Sequence, residues 1–436
     1  MNKILTIAAL ALVLSACSNE DNDIQTPVEQ PAKSESEGIP FTATISIGES
    51  AMTRALTEDA TNNQIVPTWA TGEKVALIYT VGSTPTKTDA EVTKQADGTA
   101  TISATLASGA TNGSDVTIIY PSTAADGTTG NVLANLLAAQ DGTLATIATN
   151  YDVRKGTGKL SINDEKATVN NGTAGTTVSL TNQNAIFKFT LQDLSDAAKS
   201  ATEFKVSDNS GNVITTVTPG SASGELYVAL PVMAAGTYWF NATIDSKPYI
   251  AKATTAAATV AGKYYQTTVK MATIGDVILS DGKFAARSST TGTNVAMIAY
   301  LGSETDHATY KHGLALALTD EARTMSWTDA TGASGAAAHT PAAPTPITSS
   351  WMLPSRNQWN KMIDACKNVL GTQNNYEDLR DGFSGISGAS NLQSYLYWSI
   401  TESGSNFAWH YHFGNGDWDV DRKDRDDVWV RACLVF

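Results

Sequence analysis

The chain has 436 residues, 42% hydrophobic and 17% charged, with 43 Asp and Glu against 29 Lys and Arg for a formal charge of -14. No cluster of Lys or Arg occurs anywhere, so nothing would compensate phosphates, and nucleic acid is excluded as a partner. At about 150 residues per domain, the length predicts two or three domains beyond a leader.

In chain order, Lys3 gives a positive start, Ile4 to Leu14 form a short apolar run, and Leu14-Ser15-Ala16-Cys17 closes it as a lipobox. The run is shorter than the roughly 20 residues of a spanning helix. Residues 1–17 are therefore expected to be a lipoprotein signal peptide, with lipid on Cys17 anchoring the precursor to a membrane. Residues 18–40, rich in Glu, Pro, Gln and Ser, cannot bury a core and predict a tether or propeptide. The acidic run from Ser18 to Asp23 resembles the export signal of Bacteroidetes lipoproteins, which implies the outer face of the outer membrane.

From 41 to about 272, short alternating runs separated by turn residues predict an all-β half. Examples are Lys74 to Tyr79, Asp115 to Pro121, Ala185 to Leu191, Gly224 to Pro231 and Gly262 to Lys270. One helix is predicted here, over Val132 to Gln140. A second strand series after the Asn170-Asn171-Gly172 turn divides this half into two β-sandwiches, 41–165 and 166–272.

Several landmarks recur in order: the Phe41-to-Ile47 strand, Thr53-Arg54, Thr68-Trp69-Ala70-Thr71-Gly72-Glu73-Lys74-Val75, Ile118-Ile119-Tyr120-Pro121, and Ala261-Gly262-Lys263-Tyr264-Tyr265. Together they resemble the fimbrillins of Bacteroidetes pili. The resemblance implies two transthyretin-like β-sandwich domains, delivered to the surface as a lipoprotein and polymerised by strand exchange with other pilin subunits.

The first strand carries this mechanism in its own residues. Phe41, Ala43, Ile45 and Ile47 alternate with Thr42, Thr44 and Ser46, a period of two with one apolar face. Just beyond, Ser50 to Ala55 is a small-residue loop holding Arg54, the only Arg before position 154. A trypsin-like cut between Arg54 and Ala55 would release that strand and leave a groove for another subunit's strand. The residues alone leave open a permanent first strand with Arg54 as a solvated loop residue; the resemblance favours exchange.

After residue 300 come seven of the nine tryptophans and all five histidines, so a separate domain is expected over 273–436. Gly313 to Leu318 predicts a buried strand and Thr331 to Ser350 a long loop. Ser355 with Gln358 predicts a helix start, followed by Trp359, Met362, Ile363, Cys366, Val369 and Leu370 at helical spacing. Strands are predicted at 395–399, 407–413, 417–420 and 428–436, with Gly414-Asn415-Gly416 as a tight turn. Leu353-Pro354-Ser355 with Trp359, Tyr397 to Glu402, Ala408-Trp409 and Val430-Arg431-Ala432 resemble C-type-lectin-like domains, which implies an α+β fold shared by glycan binders, protein binders and some enzymes. The fold class is thus mainly β: two β-sandwiches followed by this α+β domain.

Three candidate sites lie in it. Trp409, Tyr411 and Trp418 are possible receptor-binding aromatics, with Trp398 and Trp429 assigned to the core and Trp418 to the surface. Asp417, Asp419 and Asp421, followed by Asp424, Asp426 and Asp427, have calcium-ligand chemistry. Arg422 and Val428 nevertheless stand where an EF-hand loop needs Gly and Glu, so a salt-bridged hairpin tip is expected and no metal. The Glu-Pro-Asn and Gln-Pro-Asp tripeptides of sugar-binding C-type lectins do not occur. His410 and His412 share a strand face, as a surface pair or as two metal ligands. Cys366 and Cys433 are either a disulfide or two reduced buried thiols. No nucleophile is activated, so no enzyme, catalytic residue or cofactor is expected.

The combined expectation is a pilus tip or accessory subunit. A lipoprotein precursor is matured at Arg54, assembles into the fimbrium, and presents its C-terminal domain to a glycan or protein receptor on a host or bacterial surface. The tip position follows from a C-terminus that ends a lectin-like domain instead of supplying a donor strand. The alternative is a non-polymerising outer-membrane lipoprotein that binds glycans at the cell surface.

Overall fold

Alternating β-branched and small residues dictate the architecture, since a strand with one apolar face must lay that face on a partner sheet. The computed structural model describes residues 38–47, 57–59, 64–66, 69, 72–95, 98–172 and 175–436, and Ile39–Phe436 form one compact unit. The 1–17 leader with Cys17, the 18–40 segment before Gly38, and the Arg54–Ala55 bond lie outside the described residues. Among the described residues, no helix is long and apolar enough to cross a membrane.

The first β unit contains β1 (Ile39–Ser46), β2 (Thr57–Asp59), β3 (Gln64–Val66), β4 (Lys74–Val81), β5 (Thr84–Lys94), β6 (Thr99–Leu106) and β7 (Asp115–Tyr120). It continues through β9 (Arg154–Asn163), β10 (Lys166–Asn170), β11 (Thr177–Ser179) and β12 (Thr181–Asn182), while β8 (Ala139–Gln140), between β7 and β9 in the chain, joins the second sheet. Strand order is β10-β1-β6-β5-β4-β7-β9-β12 with β11 on β1, and β10 also pairs with β9, so the sheet closes on itself. Inside lie Phe41, Ile45, Trp69, Leu77, Ile102, Ile118, Leu160 and Val169. The expected boundary at 165/166 is corrected: β10 to β12 return to β1 and β9, and the first unit runs to Asn182.

The predicted Val132–Gln140 helix does not form either. Ala139 and Gln140 instead pair in parallel with the second unit, and the buried Gln140 amide exchanges hydrogen bonds with both backbone groups of Ala229, at 2.7 and 2.9 Å. A short helix is marginal by itself, and this tertiary pairing overrides its propensity. A brief helix, α1 (Leu144–Thr146), follows.

The second β unit comprises β13 (Asn184–Asp193), β14 (Glu203–Asp208), β15 (Val213–Val217), β16 (Glu225–Pro231), β17 (Gly236–Ile244), β18 (Lys247–Thr255) and β19 (Tyr264–Thr273). The order is β16-β13-β19-β18-β17-β14-β15-β8, with β13 and β19 parallel. Phe189, Phe204 and Phe240 meet at ring distances of 5.2 to 5.9 Å in its core.

The C-terminal part is α+β. A five-stranded sheet joins β20 (Val277–Leu279), β21 (Phe284–Ala285), β22 (Asn294–Leu301), β23 (Gly313–Ala317) and β27 (Cys433–Val435). A three-stranded sheet joins β24 (Leu396–Glu402), β25 (Phe407–His412) and β26 (Asp417–Arg422), and the helices are α2 (Trp327–Thr331), α3 (Arg356–Cys366) and α4 (Tyr376–Arg380). Ser355 and Gln358 cap α3 reciprocally, at 2.8 and 3.0 Å. Buried Arg431 is paired with Asp320 at 2.7 Å, and Tyr397 donates to the same carboxylate. The core of this part is continuous with Trp239, Ile250, Ala272 and Ile274 of the second unit, so the two meet without a linker.

Candidate functional site

Strand β1 is held along both edges. It pairs antiparallel with β6 from Ile39↔Leu106 to Ser46↔Thr99, and parallel with β10 at Phe41↔Ala167 and β11 from Thr44↔Thr177 to Ser46↔Ser179. Phe41, Ala43, Ile45 and Ile47 are all buried. The Phe and the two Ile side chains alone contribute about 5–9 kcal/mol of burial, at about 1.5–3 each. Lost, this strand would leave an apolar slot with unpaired backbone groups on two sides, and only another strand of the same alternation would fill it.

A residue that sequence reasoning missed closes the slot. Arg154 is 5% exposed, pairs with Asp152 at 3.2 Å, and donates from Nη1 to the carbonyl of Ile47 at 3.2 Å, fixing the end of β1. Arg154 and Asp152 are only two residues apart in sequence, a short-range signal that the strand pattern did not use.

The segment after the expected cut forms the β2–β3 hairpin, which reaches the second unit through Glu58. Its carboxylate accepts from Tyr227 Oη at 2.5 Å, Tyr264 Oη at 3.0 Å, Gln266 Nε2 at 3.1 Å and Lys188 Nζ at 3.1 Å. Those four donors come from the adjacent strands β13, β16 and β19. The Tyr227 hydroxyl, then Lys188 and Tyr264, hold the Glu58 carboxyl below its usual value. Burial opposes the charge on Lys188, yet Glu58 keeps its ammonium above the ordinary lysine value. Burial and then Glu58 push the Tyr264 hydroxyl up.

On the C-terminal domain, Trp409 and Trp418 are half-buried, with ring centres 6.5 Å apart. The Arg356 guanidinium lies 4.0 Å over Trp409 and 5.2 Å from Trp418, while Trp418 Nε1 donates to Asn360 at 2.8 Å. Tyr411 is buried against Trp418, Phe413 and Tyr376 and offers no face to a ligand. The accessible part of this patch is therefore Trp409, Trp418 and Arg356. Trp398 is buried and Trp429 half-buried.

His410 is not a surface residue. It is buried beside Trp398 and bonded through Nε2 to Asp421 at 3.0 Å, and burial lowers its pKa against the pull of Asp421. His412 stays half-exposed on the same face. The acidic run is neutralised from within: Arg425 pairs with Asp421 and Asp427, and Arg422 with Asp424 at 2.7 Å. The Arg425 guanidinium beside Asp427 holds its carboxyl at about 2. Among the described residues no group of three or more His, Cys, Asp or Glu converges as a metal site, so Asp417, Asp419 and Asp421 form no calcium cage. Cys366 and Cys433 are free, buried thiols whose pKa burial pushes up, so of the two alternatives the structure has the reduced pair and not the disulfide.

No protein-family model matches the chain, and no curated protein does. Among solved structures, a fimbrial protein from Bacteroides ovatus aligns at 12% identity with a TM-score of 0.29, over 92% of this chain and 99% of that one. The tip fimbrial protein Mfa3 from Porphyromonas gingivalis, truncated at its C-terminus, aligns at 7% identity with a TM-score of 0.26, over 54% of this chain and 98% of that one. At such TM-scores the likeness carries no argument about the role of this chain.

Proposed function

We propose that this chain is a pilus subunit of the tip or accessory kind: a surface lipoprotein precursor, matured by a cut after Arg54 and assembled by strand exchange. Its C-terminal domain adheres to a glycan or protein receptor. The observation that carries this reading is β1, a strand with one face buried along its length, paired on both edges, and covalently continuous with β2 through the segment that holds Arg54. Cutting there turns a covalent strand into a bound peptide. The vacated slot prescribes its replacement: antiparallel to β6, parallel to β10 and β11, with apolar side chains at four alternate positions. Strand β27, locked between β23 and Met352, is not available for donation. The receptor face is Trp409, Trp418 and Arg356.

The test is an Arg54→Ala chain expressed beside wild type. The reading expects it to reach the surface and stay out of fibres; entry into fibres at the wild-type level overturns it. A second reading is favoured by the same two-sided pairing, because a strand so deeply integrated is also what a permanent first strand looks like. In that reading the chain is a non-polymerising, lipid-anchored glycan binder, and it predicts β1 present in every surface-displayed copy.

A further inference from the structure

Between the second β unit and the C-terminal domain lies a cleft of about 190 Å³, the volume of roughly six waters at about 30 Å³ each. Junctions of this kind are where proteins place small-molecule sites. Its floor is Trp239, fixed on one face by the His312 ring at 4.0 Å and held at Nε1 by Asn209 at 3.3 Å. Lys252 enters from β18, with Nζ 5.6 Å from the centre of the Trp239 ring.

One cation here lacks an ion-pair partner. Lys252 Nζ gives one hydrogen bond, to the Gly282 carbonyl at 2.6 Å, lies over the Phe284 ring at 5.4 Å, and forms no ion pair among the described residues; Asp281, whose charge acts on it, is itself paired with Lys283 at 2.6 Å. The Nε2 atom of His312, a residue 94% buried at the edge of the cleft, has no hydrogen-bond partner. A desolvated cation and an unsatisfied imidazole are both costly to leave so. Burial lowers Lys252 to about 8, so at neutral pH it is still mainly charged, and lowers His312 to about 4, so its ring is neutral where it stacks on Trp239. The remaining wall is hydroxylic: Thr237 and Thr254 bonded to each other at 2.9 Å, and Tyr310, whose hydroxyl donates to the Pro346 carbonyl at 3.1 Å and is left as an acceptor.

From this arrangement we infer that the cleft is a binding site for a single sugar acid, its carboxylate on Lys252 and its hydroxyls on Thr237, Thr254 and Tyr310. The volume admits one ring, so the ligand is either a free sugar acid or the terminal residue of a glycan whose chain projects into solvent. The site is separate from the Trp409 and Trp418 face and does not depend on polymerisation.

Calorimetry on the chain uncut at Arg54 with glucuronate, glucose and a glucuronate-terminated hexasaccharide tests it. The expected result is millimolar or tighter binding of glucuronate with at least tenfold discrimination against glucose. Equal or tighter binding of the hexasaccharide points to a glycan end as the source, and binding of glucuronate alone to the free acid. Lys252→Met should weaken glucuronate at least tenfold. Because that variant can disturb the junction, the Lys252 Nζ resonance of the wild-type chain is titrated as well; saturating glucuronate should raise its pKa by about one unit or more. No binding at tens of millimolar, equal binding of glucose, or an unmoved Lys252 titration overturns the inference.

Discussion

Glu58 shows how much one residue can organise. It stands three positions beyond Ala55, in a hairpin that pairs only with itself among the described residues, yet four donors from the second unit converge on its carboxylate. Glu58→Gln leaves Lys188 with only the mostly exposed Glu225 at 3.6 Å. The expected cost is about 1–3 kcal/mol, because hydrogen bonds to a charged, largely buried group are lost. Hydrogen exchange should rise selectively over residues 57–66; uniform exchange across the chain would contradict the anchoring role. Since the folded carboxyl titrates below its unfolded value, its contribution is complete above about pH 4.3 and fades as pH falls through the lower folded value. His312 acts in a higher window. Its folded pKa of about 4 lies below the unfolded value of about 6.5, so stability holds above pH 6.5 and declines towards pH 4, by at most about 3 kcal/mol. His312→Phe should flatten the melting temperature between pH 6.5 and 4, and an unchanged slope would assign the acid loss elsewhere.

At the scale of elements, β1 makes the sharpest demands. After proteolysis at Arg54, a labelled peptide spanning residues 39–47 should exchange into the slot, and the same peptide carrying Phe41→Asp and Ile45→Asp should not, since each Asp would bury an unpaired carboxylate. Mass spectrometry of the trimmed chain reads the exchange. Arg154→Ala leaves Asp152 buried without its partner and should cost about 3–5 kcal/mol, seen as a shift in the denaturant midpoint. How legible these elements were follows their physics. The apolar face of β1 was readable because a period of two maps directly onto one buried face. Its neighbours were not, since β6, β10 and β11 lie about 60 to 130 residues away and pairing partners leave no local trace. The same blindness misplaced the boundary at 165/166, where a turn at Asn170 to Gly172 looked like a new beginning but led strands back into the first sheet. Residues 132–140 have helical spacing that the Gln140 contact with Ala229 outweighs. Alternation put His410 and His412 on one face but said nothing of the Trp398 and Asp421 that bury the first.

For the whole molecule, composition located the C-terminal domain but not its dependence on its neighbour. Trp239 of the second unit packs against Phe284, His312 and Phe436, and Ile250 and Ala272 join the same core. Residues 184–436 should therefore melt as one cooperative unit, while 274–436 alone should melt lower and expose apolar surface to a dye; equal melting temperatures would show the two parts to be independent. Receptor binding is best sought with that longer piece, where Arg356→Ala should weaken binding through the Trp409 and Trp418 face. The central claim is that β1 is exchangeable, and the most direct measurement is the identity of the first residue in sheared surface fibres by intact-mass and peptide mass spectrometry. The account predicts chains beginning at Ala55 with no covalently attached Phe41-to-Ile47 peptide. Fibres built of chains that still begin at a lipidated Cys17 and carry β1 in place would contradict it.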